Sequence, residues 1–154
     1  MKAKIRTRYE ALRKKYGLPQ FGDVDSELEI ESVEAGGFLL REIRKRIAEK
    51  ISDSACLLER VLQPDTNLVD LYESRVFSEE EKSKLFELYK RLMVSDRKAA
   101  ELSVLNEEKL DAAFLKLFLT EWKTLKPKIA EFTRRLSESW EKETEEGEQA
   151  GYMG

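Results

Sequence analysis

Six carboxylates in the segment 23–34 are the first residues whose spacing suggests chemistry. Asp23, Asp25, Glu27, Glu29, Glu31 and Glu34 fall at positions 1, 3, 5, 7, 9 and 12 of a calcium-loop frame, with Ile30 at the apolar position 8. The frame needs a glycine at position 6, where the loop turns sharply, and Leu28 stands there. Position 5 is Glu27 rather than Asp or Asn. The run is therefore read as solvated charge, and no metal ion or other cofactor is expected.

Basic residues form the second group. Lys2, Lys4, Arg6, Arg8, Arg13, Lys14 and Lys15 face a single acid, Glu10, within residues 1–16. Such an arm contacts phosphates when it stays free and neutralises its own chain when it docks. Gly36-Gly37, followed by Arg41, Arg44 and Lys45, offers a second basic strip and a helix start open to an anion. Without a preceding strand or a P-loop lysine and hydroxyl, the glycines read instead as a hinge or a point of close helix contact. The candidate phosphate contacts are Arg6, Arg8, Arg13, Lys14, Lys15, Arg41, Arg44 and Lys45.

Catalytic equipment is scarce. The chain has no histidine and one cysteine, Cys56. That excludes a Ser-His-Asp or Cys-His arrangement, a His-containing metal motif and an intrachain disulfide. Only carboxylate, lysine or tyrosine chemistry remains, and acids such as Glu79, Glu80 and Glu81 are accounted for by a helix start. The protein is not expected to be an enzyme.

The elements that must position these groups are helices. Ile5, Tyr9, Leu12 and Tyr16 share one face of a helix over residues 3–16, which Gly17 and Pro19 stop. Residues 21–33 are ambiguous, because Phe21, Val24 and Leu28 suit a helical turn while 27–31 alternates as an extended connector would. Leu40, Ile43, Ile47, Ile51, Ala55, Leu58 and Leu62 mark a long amphipathic helix ending before Pro64. A short helix carries Leu68, Leu71 and Tyr72. Ser78 with Glu81 forms a capping box for a helix reaching about residue 105, and Asn106 is suited to cap the next. The last helix covers about 107–146, kinked or broken near Pro127.

That last helix carries the strongest functional signal. Around Phe114, Leu115, Leu117, Phe118, Leu119 and Trp122 its apolar side chains cover half the wheel or more, beyond the stripe of about 100° that one neighbour covers. Phe114, Leu117 and Phe118 are assigned to the core; Leu115, Leu119 and Trp122 are assigned to a partner interface.

The expected fold is all-α, a bundle of four main helices plus a short one. A single domain spans 1–146, with a basic helix over 1–16, an acidic connector over 17–35 and a disordered tail over 147–154. The net charge of −3 gives no general attraction to nucleic acid, and 41% hydrophobic against 38% charged residues allows a core under an ionic surface. Early bases interrupt any secretory apolar run and no membrane-spanning run exists, so a cytoplasmic location is expected. Two Asn and three Gln beside abundant Lys, Arg and Glu resemble thermophile compositions. The expected function is a non-catalytic protein-protein interaction or scaffolding module, self-associating or part of a complex. The alternative is a nucleic-acid-associated protein that binds phosphate backbones through the basic first helix.

Overall fold

The computed structural model describes residues 2–33 and 37–153, and their side chains over 4–33 and 37–142. Its elements are α1 (Lys2–Tyr16), α2 (Phe21–Leu28), a 3₁₀ turn (Ile30–Ser32), α3 (Leu39–Leu62), α4 (Leu68–Ser74), α5 (Glu79–Leu105) and α6 (Glu108–Met153). The fold is all-α. It has one helix more than expected, because the ambiguous connector contains α2.

Local chemistry explains where each helix stops. Gly17 adopts φ +65°, and its N–H and that of Leu18 both donate to the Arg13 carbonyl, which closes α1 as glycine-terminated helices close. After α2, Glu29 takes φ 51°, and this left-handed residue separates Leu28 from Ile30, which are both buried. The strand-like alternation of 27–31 comes from that reversal, which turns two apolar residues inward on either side of an acid.

Asn106 is a second left-handed residue, at φ 58°, and its N–H donates to the Leu102 carbonyl. It therefore ends α5 rather than capping α6, a role asparagine fills because it tolerates this conformation. The Ser78 capping box forms as expected: Ser78 N–H donates to Glu81, and Glu81 N–H donates to the Ser78 hydroxyl.

α6 is not broken at Pro127 and runs through it for 46 residues. Pro127 and Lys123 are exposed, so water can reach the carbonyl that proline leaves without a donor, while Leu125 and Phe132 anchor the flanking turns in the core. The helix continues to Met153; the run 141–150 is rich in Glu, Lys, Gln and Ala, which sustain a helix.

The chain divides into two compact units, Met1–Asp53 with Leu92–Lys123 and Ser54–Arg91 with Thr124–Gly154. In the first, α1 packs on α2 and the 3₁₀ turn. Ile5, Tyr9, Phe21, Val24, Ile30, Leu40, Ile43, Ile47, Leu92, Leu102, Leu115 and Phe118 form its core. In the second, Ala55, Leu58, Val61, Phe77, Leu88, Leu125, Phe132 and Leu136 are buried. Each such Leu, Ile or Phe contributes about 1.5–3 kcal/mol by leaving water.

Arg46 and Arg135 reach beyond their own helices. Arg46 donates to the Leu28 and Glu29 carbonyls and the Ser32 hydroxyl. Arg135 pairs with Glu81, donates to the Val76 carbonyl and lies over the Phe77 ring. Glu42 and Glu131, four residues before them, pair with Lys45 and Arg134. No described helix is long and apolar enough to cross a membrane.

Candidate protein-interaction surfaces

The broad apolar surface of α6 faces its own unit differently from the sequence assignment. Leu115 is 1% exposed and Trp122 5%. The Trp122 indole N–H donates to Glu27 Oε2 at 2.9 Å, its ring stacks near Phe118 and Lys50 Nζ lies over it. Both residues are therefore withdrawn from the partner interface. Leu119 is half-buried, and Leu117, assigned to the core, is 57% exposed. A helix that is apolar almost all round carries no periodic mark of its outer side; only the neighbouring helices select it.

Leu117 opens onto a groove. Val94, Arg97, Lys98 and Glu101 of α5 and Phe114, Leu117, Phe118 and Glu121 of α6 line a concavity of about 450 Å³. Its floor is aromatic and aliphatic. Val94 on the α5 rim is 72% exposed. Arg97 pairs with Asp96 and Lys98 with Glu101, so the rim is polar and charge-balanced. An apolar floor inside a polar rim has the composition of interface centres and their edges.

The proposed phosphate contacts separate in the same way. Arg44 is 4% exposed and its Nη1 sits 2.7 Å from Asp111 Oδ1, with the Leu102 carbonyl at 3.3 Å. It is an internal residue, and its assignment to an exposed strip is corrected. Arg44 lies four residues after Leu40 and three before Ile47, on their buried face rather than opposite it. Burial raises the Asp111 carboxyl above the ordinary aspartate value, against the opposing pull of Arg44.

The other bases stay nearer the surface. Arg6 lies over the Phe21 ring and Arg41 over Phe38. Arg8 donates to the Gly37 carbonyl, Arg13 pairs with Glu10, Lys45 with Glu42 and Lys15 with Glu108, which also accepts from Tyr16. Lys14 is exposed and shares a shallow hollow with Arg6, Thr7, Ala11 and Glu10, whose carboxylate opposes a phosphate there. Gly36 and Glu34 lie outside the described residues. A Cβ on Gly37 would meet nothing within 4 Å, so close helix contact does not explain that glycine. The calcium-loop frame is folded into α2 and the 3₁₀ turn, a geometry unlike a calcium loop.

The second unit carries a surface that the sequence analysis missed. α4 turns its polar side inward: Asp70 and Ser74 are buried, while Leu68, Val69 and Leu71 are exposed. Asp70 accepts from Arg60 Nε and from the Asp65 N–H, and Ser74 donates to the Val61 carbonyl. Burial pushes the Asp70 carboxyl up, but the Asp65 N–H, Asn67 and Arg60 together hold it below the ordinary value. The Tyr72 ring packs on Trp140 with centroids 4.1 Å apart and planes tilted by 36°, its hydroxyl donates to the Ser139 carbonyl, and the Trp140 indole donates to Glu73. The signal available beforehand was Asp70 and Ser74 at i, i+4, a polar pair as regular as the apolar one.

No protein-family model, curated protein or solved structure matches this chain.

Proposed function

We propose that this chain is a non-catalytic protein-protein interaction module that holds an apolar helix of a protein partner in the groove between α5 and α6. The observation that carries the reading is Leu117, 57% exposed beside Phe114, Phe118 and Val94 in a concave, polar-rimmed site. Large apolar side chains in a groove between helices are what an amphipathic helix docks against, with anchors at i, i+3, i+4 and i+7. The phosphate-binding alternative is weaker, since Arg44 is internal and Glu10 stands among the bases of α1.

A photo-crosslinking phenylalanine analogue at position 117, used in the cells that make the protein, tests the reading. A discrete protein adduct at 117 that is absent from a probe at exposed position 137 supports it. Equal adducts at both positions, or none at either, overturn it.

A further inference from the structure

α1 is docked through Ile5 and Tyr9, which leaves its bases on the remaining sides. Several of them are engaged within the unit: Arg8 with the Gly37 carbonyl, Arg13 with Glu10 and Lys15 with Glu108. Lys4, Arg6 and Lys14 are exposed and have no acidic partner among the described residues; Arg6 rests on the Phe21 ring. Arg6, Glu10 and Lys14 recur at i, i+4 and i+8, which sets them in one line along the helix, beside the small side chains of Thr7 and Ala11 in the hollow they share. The line reads base, acid, base.

The opposite arrangement occurs on α6. Leu136 is the last buried residue of that helix among the described side chains, yet the helix continues to Met153. Residues 138–148 hold six acids and a single base, Lys142. Glu138 and Lys142 are exposed, and in the sequence the same i, i+4, i+8 spacing gives Glu138, Lys142 and Glu146. This line reads acid, base, acid. Each line is the same from either end, so the two are complementary whichever way the helices run. The one acid among the bases of α1 and the one base among the acids of α6 are then explained together. A phosphate backbone would set like charge against Glu10, whereas a helix with a base at that place does not.

We propose that α1 of one copy of the chain binds the acidic end of α6 of a second copy, with Arg6 and Lys14 against the acids of residues 138–148 and Glu10 against Lys142. Exposed ion pairs are individually weak and exchange partners readily, so Glu138 is available for the contact while Arg134 keeps Glu131. The contact shares no residue with the α5 and α6 groove and stands independently of it. Charge drives it, and screening shortens from about 30 Å at 0.01 M ionic strength to about 10 Å at 0.1 M, so the association is strongest in low salt.

Sedimentation velocity of the full chain from about 1 to 300 μM, at ionic strengths of about 0.01 and 0.3 M, tests the proposal. The expected result is association at the lower ionic strength that the higher one weakens about tenfold or more. In low salt K14E and E138K should each weaken it about threefold or more, with far-UV circular dichroism unchanged. An equimolar mixture of these two variants should associate more tightly than either alone, because the native Lys14 and the native Glu138 then lie on different chains. E10K should weaken the association even though it makes α1 more basic, whereas a phosphate site or an unspecific attraction to acids would be strengthened by it. A monomer throughout the range in low salt, association that salt leaves unchanged, a mixture no tighter than the single variants, or association strengthened by E10K would overturn the proposal.

Discussion

Arg44 on α3 and Asp111 on α6 lie 2.7 Å apart with each side chain 4% exposed, and the same guanidinium nitrogen reaches the Leu102 carbonyl near the end of α5. One buried ion pair thus ties three helices of the first unit at a defined register. Such a pair adds little net stability, because desolvation offsets its attraction, but either partner left alone is a buried uncompensated charge. R44A and D111A should each lower unfolding free energy by about 3–5 kcal/mol in denaturant titrations, while R44M/D111L together should recover most of the loss. Equal losses in the single and double variants would contradict this account.

Leu115 and Leu117, two residues apart on α6, should respond oppositely. L115A empties a site 1% exposed and should cost about 2–5 kcal/mol of stability. L117A should change stability by no more than about 0.5 kcal/mol, since its side chain is mostly in water. Paired thermal melts distinguish them, and a large loss from L117A would mean the groove is closed by the chain itself.

Asp70 makes the second unit acid-sensitive. Its folded pKa is lower than that of the unfolded chain, so the carboxylate contributes stability above about pH 3.9 and that contribution is lost as pH falls through the lower folded value. Unfolding midpoints measured from pH 7 to pH 2 should fall in that window. D70N should lower the midpoint at pH 7 and flatten this part of the profile; an unchanged acid slope in D70N would remove Asp70 as its source.

Pro127 is a cost that packing overrides. Its position inside α6 removes one backbone hydrogen bond while Leu125 and Phe132 keep the adjoining turns in place. P127A should therefore stabilise the protein by up to about 3 kcal/mol in denaturant titrations. A destabilised variant would show that the proline sets a bend on which the packing depends.

Periodicity, turn chemistry and capping were sufficient for the helical class and for most helix limits. Ile43, Ile47 and Ile51 mark α3 by spacing alone, and Gly17 and the Ser78-Glu81 pair act within a few residues of chain, where sequence and cause coincide. Asn106 shows the limit of this reasoning, because the same residue suits the start of one helix and the end of another.

Orientation was decided only by tertiary packing. Leu115 and Leu117 have the same side chain on the same helix, and which one is buried depends on where the other elements lie. α4 turns its leucines outward because Arg60, the Asp65 N–H and the Val61 carbonyl satisfy Asp70 and Ser74, partners that no count of apolar residues reveals. Arg44 is internal because Asp111, 67 positions away, supplies the opposite charge. Helix formation is governed by neighbours a few residues along the chain, whereas the face a helix buries is governed by groups the fold brings from far away.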